Sequence, residues 1–354
     1  GAAPAQSGNP FQRQGRELAE ARSRADNPFK YVVVSPILPT SSSLAAGSGN
    51  RWLAVNPATD LALVMALIRR IIEKESYNKK YLEQPGPAAM KVANEATHSN
   101  ATNLLINDPE HPRYGTFVRG ADLGWALAEA EEGSDAKAED VFVVQLADGT
   151  LAPHTVAQAA ELMVEMDVVL PGVGDQAIKL CSALSKLRDE AQKMSYEEYS
   201  EICGISVKDI TDLADEFSSF GNRAVADAHG GTMNGAGFYT AYGIAMLNNL
   251  MGNINMKGGL ALDAGPFGPF GPGPRYDFRF KGQAGPKGVA LSRNNRAYES
   301  TSEYKRKVAA GENPYPAKAP WYPLPAGSLT SEMLASGING YPYKVKVWLN
   351  HMSN

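Results

Sequence analysis

Short apolar runs alternate with segments of helical spacing along the first 220 residues of the chain. Two of these runs, residues 31–34 and 51–55, have the length and the aliphatic character of buried strands. Residues 57–60 read Pro-Ala-Thr-Asp and are followed by apolar residues at every third or fourth position, namely Leu61, Val64, Leu67, Ile68, Ile71 and Ile72. This spacing predicts a buried helix that begins near Asp60.

The middle of the chain carries weaker patterns. Residues 78–119 are rich in proline and polar side chains and predict an irregular segment with one short strand at 104–106. Asp148 and Gly149 lie between two apolar runs and predict a hairpin. Residues 175–193 have the spacing of one long amphipathic helix. The pattern therefore predicts a β-rich excursion followed by helices.

Two capping patterns follow. Ser195 and Ser206 each precede an acidic residue by three positions, as in the first turn of a capped helix.

Further along, residues 224–228 alternate Ala and Val, as a buried strand does, and residues 237–250 predict a long helix that ends at Gly252. Between them lies a glycine-rich turn that contains His229, Gly230 and Gly231.

This alternation of strands and helices predicts an α/β fold with parallel sheets and helices on both faces. We expect two Rossmann-like parallel-sheet units, each incomplete at one end of the chain. The expected domains are residues 1–221, with a hairpin and loop insertion, and residues 222–354, with long loops rich in proline and glycine. The chain begins without Met and ends six residues after a predicted strand at 343–348, so we expect a portion of a longer polypeptide.

Composition excludes several classes of protein. The 354 residues carry 34 basic and 38 acidic side chains, a net charge of -4, with no basic patch for nucleic acid. No apolar run is long enough to cross a bilayer, so direct membrane insertion is not expected. The two cysteines and five histidines form no metal-binding pattern, and no catalytic triad or carboxylate pair is evident from spacing. We therefore name no catalytic and no metal-ligating residue.

The glycine-rich turn at 229–231 is a candidate ligand site. A strand that leads through glycines into a helix presents backbone N–H groups and a helix N-terminus to an anion, usually a phosphate. The alternative is a closely packed corner in which glycine only permits close approach. No GxGxxG spacing or Walker lysine decides between the two.

Several longer motifs resemble those of the molybdopterin oxidoreductases of the dimethyl sulfoxide reductase family. They are Gly8-Asn9-Pro10 near the start, the strand end VVVSP, the run RWLAVNPATD, and the segment from Cys203-Gly204-Ile205 to Phe217. The opening of the glycine-rich region, HGGTMNGAGFYTAY, belongs to the same set. The resemblance covers nearly the whole chain, and its strongest part is to reductases of sulfur oxyanions within that family.

The resemblance implies a bis(molybdopterin guanine dinucleotide) molybdenum cofactor in a cleft between two Rossmann-like domains. It also implies the residues that contact the cofactor, which are Gly8, Asn9, Ser35, Pro36, Pro57, Thr59, Asp60, His229, Gly230, Gly231 and Asn354. Asp60 stands where the family has the acidic residue of a Pro-Gly-Thr-Asp motif, and its carboxylate can accept hydrogen bonds from guanine. Here Ala58 replaces the glycine of that motif, which raises the question of whether the backbone keeps its conformation.

The same residues have simpler interpretations that stay open. Thr59 and Asp60 fit a plain helix N-cap, and His229 fits a core histidine. Thr102 and Asn103 lie where family members line the substrate channel, so they are weaker candidates for that role.

The resemblance also implies the wider system. Its members reduce small oxyanions in anaerobic respiration and lie in the periplasm. Electrons reach them from a membrane subunit that oxidises quinol, through an iron-sulfur subunit. An iron-sulfur cluster and the protein ligand of molybdenum are expected upstream of Gly1, and isolated residues 1–354 are expected to be inactive. Alternatives are a thiosulfate, arsenate or selenate reductase, or a non-catalytic nucleotide-binding or interaction module.

Overall fold

The fold is taken from a computed structural model, which describes residues 11–24, 26, 29–38, 51–125, 140–228, 237–260, 299, 302–314 and 346–347. The chain forms two compact units, Gly1–Phe267 and Gly268–Asn354. The described α-helices are α1 Phe11–Arg22, α2 Asp60–Glu73, α3 Lys79–Leu82, α4 Pro87–Ala93, α5 Ala183–Gln192, α6 Tyr196–Cys203, α7 Val207–Ser219, α8 Gly237–Met251 and α9 Ser302–Ala309. The described strands are β1 Val32–Val34, β2 Arg51–Leu53, β3 Leu104–Ile106, β4 Val143–Gln145, β5 Leu151–Pro153, β6 Glu165–Val169 and β7 Ala177–Ser182.

The fold is a mixture of helices and sheets, compatible with the predicted α/β class. Strands β1 and β2 pair in parallel, with Val34 opposite Leu53. The prediction of parallel sheets is wrong for the middle of the chain, because β3, β7 and β6 form an antiparallel sheet in that order. The predicted hairpin is confirmed as β4–β5, and its turn residue Gly149 has a φ of 84°.

Helix α2 is the centre of the main core. The burial that the helical spacing predicted is confirmed, and the apolar face packs against α5, α6, α7 and α8. The buried side chains on α2 are Leu63, Val64, Ala66, Leu67, Ile68, Ile71 and Ile72. A second, smaller core lies under the antiparallel sheet and includes Leu104, Ile178 and Leu180. The antiparallel sheet thus has an apolar core of its own, besides the core around α2.

Both predicted caps are confirmed. Ser195 accepts a hydrogen bond from the Glu198 amide, and the Glu198 carboxylate accepts one from the Ser195 amide, which makes a complete capping box. The Ser206 hydroxyl likewise accepts from the Asp209 amide at the start of α7. Local sequence determines these two helix starts without help from distant residues.

Three predicted elements differ from the structure. Residues 175–193 are not one helix, because strand β7 occupies Ala177–Ser182 before α5 begins. Every second residue of β7 from Ile178 is buried, and the Ser182 hydroxyl accepts from the Ser185 amide to start the helix. Residues 78–119 contain the short helices α3 and α4 besides the predicted strand. Residues 224–228 form no ladder with any described strand.

Candidate functional site

The candidate site lies beyond the carboxyl ends of the parallel strands β1 and β2. The Ser35 amide donates to the Leu53 carbonyl at 3.1 Å and so continues the pairing past the end of β1. The indole of Trp52 donates to the Ser35 carbonyl at 2.8 Å. Ser35 and Pro36 therefore leave the sheet at the same edge as the loop that follows β2. Ligands of parallel sheets bind at this edge.

The loop after β2 carries three of the predicted residues. Pro57 is exposed, whereas Thr59 and Asp60 are half-buried, and Asp60 is the first residue of α2. Among the described residues no side chain or backbone group pairs with the Asp60 carboxylate. The structure thus brings Ser35, Pro36 and the 57–60 loop to one edge of the sheet and leaves this carboxylate open.

Thr59 occupies the N-cap position of α2 without performing the usual capping bond. Its hydroxyl donates backward to the Asn56 carbonyl at 2.7 Å, and no side chain caps the first turn of the helix. The plain N-cap interpretation of Thr59 is therefore wrong for its side chain. The first-turn amides of α2 carry the partial positive charge of a helix N-terminus, which favours an acceptor group there.

Ala58 stands where the family motif has glycine, and its backbone conformation shows whether the loop keeps its course. Its φ is 63°, so the residue adopts the left-handed conformation that glycine adopts at little cost. The Pro-Ala-Thr-Asp loop therefore keeps the backbone that a glycine would favour. The replacement adds strain to the loop without changing its course.

Six of the predicted contact residues lie outside the described part of the chain: Gly8, Asn9, His229, Gly230, Gly231 and Asn354. The segment that leads to His229 is described as far as Ala228. Asn248 of α8 donates to the Ala226 carbonyl at 2.7 Å and accepts from the Ala226 amide at 3.0 Å. Asn253 donates to the Ala224 carbonyl. Two side-chain amides thus hold the residues that the sequence predicted as a strand.

The weaker candidates Thr102 and Asn103 lie just before β3 and are 0% and 3% exposed. The backbone here contacts the start of α5, because the Asn103 carbonyl accepts a hydrogen bond from the Ala183 amide at 2.9 Å. Thr102 Oγ1 and Asn103 Oδ1 have no hydrogen-bond partner among the described residues. Buried polar atoms of this kind are commonly satisfied by water or a polar ligand.

Charged side chains fix α2 behind the site. Arg70 donates two hydrogen bonds to Asp215 of α7 at 2.9 and 3.0 Å, and Lys74 donates a third at 3.0 Å. The Arg70 hydrogen bond, together with Lys74, lowers the pKa of Asp215 to about 2. Glu73, at the end of α2, accepts a hydrogen bond from the Tyr196 hydroxyl of α6 at 2.7 Å. These contacts fix the helix whose first turn carries Asp60.

The described ranges offer few other groups that could bind a metal or react. No group of three His, Cys, Asp or Glu with a metal-binding arrangement occurs there. Cys181 and Cys203 are free and buried, and burial raises the pKa of Cys181 to about 11, which keeps it a thiol. No described helix has the length and apolar character needed to cross a membrane.

Sequence reasoning missed Asn56. Its amide donates to the Cys203 carbonyl at 2.8 Å and its side chain donates to the Ile202 carbonyl at 3.0 Å, so it joins the loop to the end of α6. An Asn-Pro pair directly after an apolar run is a turn signal, and it could have directed attention to this residue.

The chain is similar along its whole length to part of a known protein. No family model matches the chain. The chain is 42% identical over its full length to a tetrathionate reductase subunit of Salmonella typhimurium and 31% identical over 93% of its length to the protein of the same name from Archaeoglobus fulgidus. It is 29% identical over 91% of its length to a selenate reductase subunit of Mesobacillus selenatarsenatis.

The chain spans about one third of these relatives, namely 33%, 27% and 28% of their lengths in the same order. Two of the three bear the same name, and they come from a bacterium and an archaeon. The resemblance predicted from the sequence motifs is confirmed, since this chain is similar along its entire length to a segment of this tetrathionate reductase subunit.

Proposed function

We propose that this chain supplies part of the molybdopterin guanine dinucleotide site of a catalytic subunit that reduces tetrathionate. The observation that carries the proposal is the Asp60 carboxylate, which has no partner among the described residues and lies at the carboxyl edge of a parallel strand pair. The 42% identity to the Salmonella tetrathionate reductase subunit supports the choice of substrate.

The residues present fit such a nucleotide. A carboxylate can accept two hydrogen bonds from the N1 and N2 donors of guanine, and Asp60 is free to do so. The left-handed Ala58 and the uncapped first turn of α2 leave polar backbone beside that carboxylate. Ser35 and Pro36, at the end of the neighbouring strand, are placed to contact the ribose.

The remaining roles are parts of the same proposal. Gly8 and Asn9 approach the pyrophosphate, while His229, Gly230, Gly231 and Asn354 contact the pterin from a second domain. Thr102 and Asn103 contribute to the substrate channel through their unpaired oxygens. The two Rossmann-like units, with a division near residue 221, also stay a prediction. When bound, the molybdenum cofactor supplies the two electrons that cleave the S–S bond of tetrathionate into two thiosulfates.

The parent polypeptide is proposed to act in the periplasm with two partners, an iron-sulfur electron-transfer protein and a membrane protein that oxidises quinol. An iron-sulfur cluster in the same polypeptide, outside residues 1–354, would connect them to the molybdenum. The support for these partners is the resemblance alone.

The substrate is tested with the complete subunit, produced together with its maturation partners and assayed by oxidation of reduced viologen. We expect turnover with tetrathionate. Selenate is the main competitor because of the selenate reductase relative at 29% identity, and thiosulfate and arsenate complete the series. Turnover with one of these three and none with tetrathionate would contradict the substrate assignment.

A non-catalytic nucleotide-binding module is the alternative of another class. Titration of the isolated chain with GDP separates the two proposals, because the proposed cofactor site needs a second domain for completion. We expect weak binding or none. Tight binding of GDP by residues 1–354 alone would favour the independent module.

A further inference from the structure

Asn56 connects two parts of the molecule that are distant in sequence. It lies in the loop between β2 and α2, and its backbone amide donates to the Cys203 carbonyl at 2.8 Å. Its side-chain amide donates to the neighbouring Ile202 carbonyl at 3.0 Å. Both carbonyls belong to the last turn of α6, where a helix has no internal donors left. The loop is therefore held to α6 at two points.

The backbone carbonyl of Asn56 accepts two hydrogen bonds from within the loop. It accepts from the Thr59 amide at 3.2 Å and from the Thr59 hydroxyl at 2.7 Å. The second bond turns the threonine hydroxyl away from the first turn of α2, so this side chain leaves the helix start uncapped. Asn56 thus anchors the loop to α6 and, by binding the Thr59 hydroxyl, keeps that hydroxyl from capping the first turn of α2 beside Asp60.

Gly204 leaves the space that the Asn56 side chain needs to contact α6. It ends α6 with a φ of 75°, and a Cβ at this position would lie 2.8 Å from Asn56 Oδ1 and 3.0 Å from Asn56 Nδ2. Contacts that short are not tolerated by real Cβ atoms unless the asparagine moves. The close approach of the Asn56 amide to α6 thus depends on the absence of a side chain at 204.

We infer that Asn56 is a positioning residue for the guanine end of the cofactor site, acting through the Pro57–Asp60 loop. The inference rests on the proposed function. Asn56 contacts no nucleotide itself in this account. It fixes the 57–60 loop against α6 so that the Asp60 carboxylate and the uncapped start of α2 face the same ligand.

The test uses the complete subunit in three forms: wild type, Asn56→Ala, and the control Asn78→Ala. Like Asn56, Asn78 donates its side-chain amide to a distant carbonyl at the end of a helix, that of Met251. Its side-chain oxygen also accepts from the Tyr81 amide at the start of α3, away from the site. Guanine nucleotide released by acid and thermal stability are measured for each. We expect Asn56→Ala to retain nucleotide about tenfold less well than wild type, because the side-chain hydrogen bond that holds the loop to α6 is lost. Asn78→Ala is expected to lose stability and keep its nucleotide.

A second variant, Gly204→Ala, tests the same contact from the α6 side. Its left-handed φ of 75° also strains an alanine, so thermal stability is measured beside nucleotide retention. If both residues act through one contact, Gly204→Ala also lowers nucleotide retention, and it causes little further loss in the Asn56→Ala background. Additive losses in the double variant, or equal retention by Asn56→Ala and Asn78→Ala, would overturn the inference. A wild-type protein that is folded and carries no guanine nucleotide would instead overturn the proposed function.

Discussion

Ala58 departs from the backbone conformation that an alanine favours. A left-handed backbone is unfavourable for residues with a Cβ, and Ala58 has a φ of 63°. We expect Ala58→Gly to raise the free energy of unfolding by about 0.5–1 kcal/mol, the strain relieved less the entropy that glycine adds to the unfolded chain. Urea denaturation measures the change.

Ala245 provides the matched control, since it is an exposed alanine within α8. The same Ala-to-Gly change there is expected to lower the free energy of unfolding by about 1 kcal/mol, because glycine is unfavourable inside a helix. Opposite signs at positions 58 and 245 are the predicted result. Destabilisation at both positions would show that Ala58 is not strained.

Single residues also mark the limit of what the sequence could predict about the site. The motif named Asp60 as a candidate, which stays a prediction, and it placed Thr59 correctly at the start of a helix. The direction of the Thr59 hydroxyl could not be predicted, because it depends on the Asn56 carbonyl, whose position is fixed by the end of α6. The connection joins segments that are far apart along the chain and leaves no local pattern.

Among the elements, residues 224–228 show how side chains can replace a strand partner. Asn248 is 1% exposed and makes two hydrogen bonds to Ala226, while its own oxygen also accepts from Asn253 at 2.8 Å. Asn248→Ala leaves the amide and carbonyl of Ala226 unpaired, with an expected cost of about 2–4 kcal/mol. Hydrogen exchange of the Ala226 amide is expected to become faster than in wild type. Unchanged protection of that amide would mean that another group pairs with it.

The contact between α2 and α7 makes a prediction about pH. The pKa of Asp215 is about 2 in the folded chain, below its ordinary value of 3.8, because Arg70 and Lys74 donate to it. A lowered pKa means that this stabilisation is present above about pH 3.8 and is lost as the pH falls toward 2. Asp215 is partly exposed, so the pair is expected to contribute less than about 1 kcal/mol.

Urea denaturation of wild type and Asp215→Asn between about pH 6 and pH 3 tests this contact. The difference in unfolding free energy between the two is expected to be largest at the upper end of this range and to shrink toward the lower end. Asp212→Asn, on the exposed side of α7, is the control. A difference that grows with acidification would contradict the assigned direction.

The elements that the sequence predicted share a local cause. Capping at Ser195 and Ser206, the Asp148–Gly149 turn and the apolar stripe of α2 all act within a few residues. The elements that it missed depend on distant partners. Strand β7 is a strand because β3 and β6 pair with it on both sides, whereas its own residues also fit a helix.

At the scale of the whole molecule, the proposed nucleotide-binding edge lies beside the start of α2, in a chain that matches a segment of longer relatives. The chain spans 33% of the Salmonella relative, so the proposed activity belongs to the complete polypeptide. The resemblance could be found from the sequence because its motifs are long. The antiparallel sheet of β3, β7 and β6 could not, because it interrupts the expected alternation of parallel strands and helices.

The guanine nucleotide content of the complete subunit with Asp60→Asn tests the central claim most directly. This change keeps the size of the side chain but places an amide donor opposite the N1 and N2 donors of guanine. Wild type and the control Asp212→Asn are expected to carry guanine nucleotide, whereas Asp60→Asn is expected to retain it at least about tenfold less well. Full nucleotide content in the folded Asp60→Asn protein would contradict the claim that this carboxylate binds the cofactor.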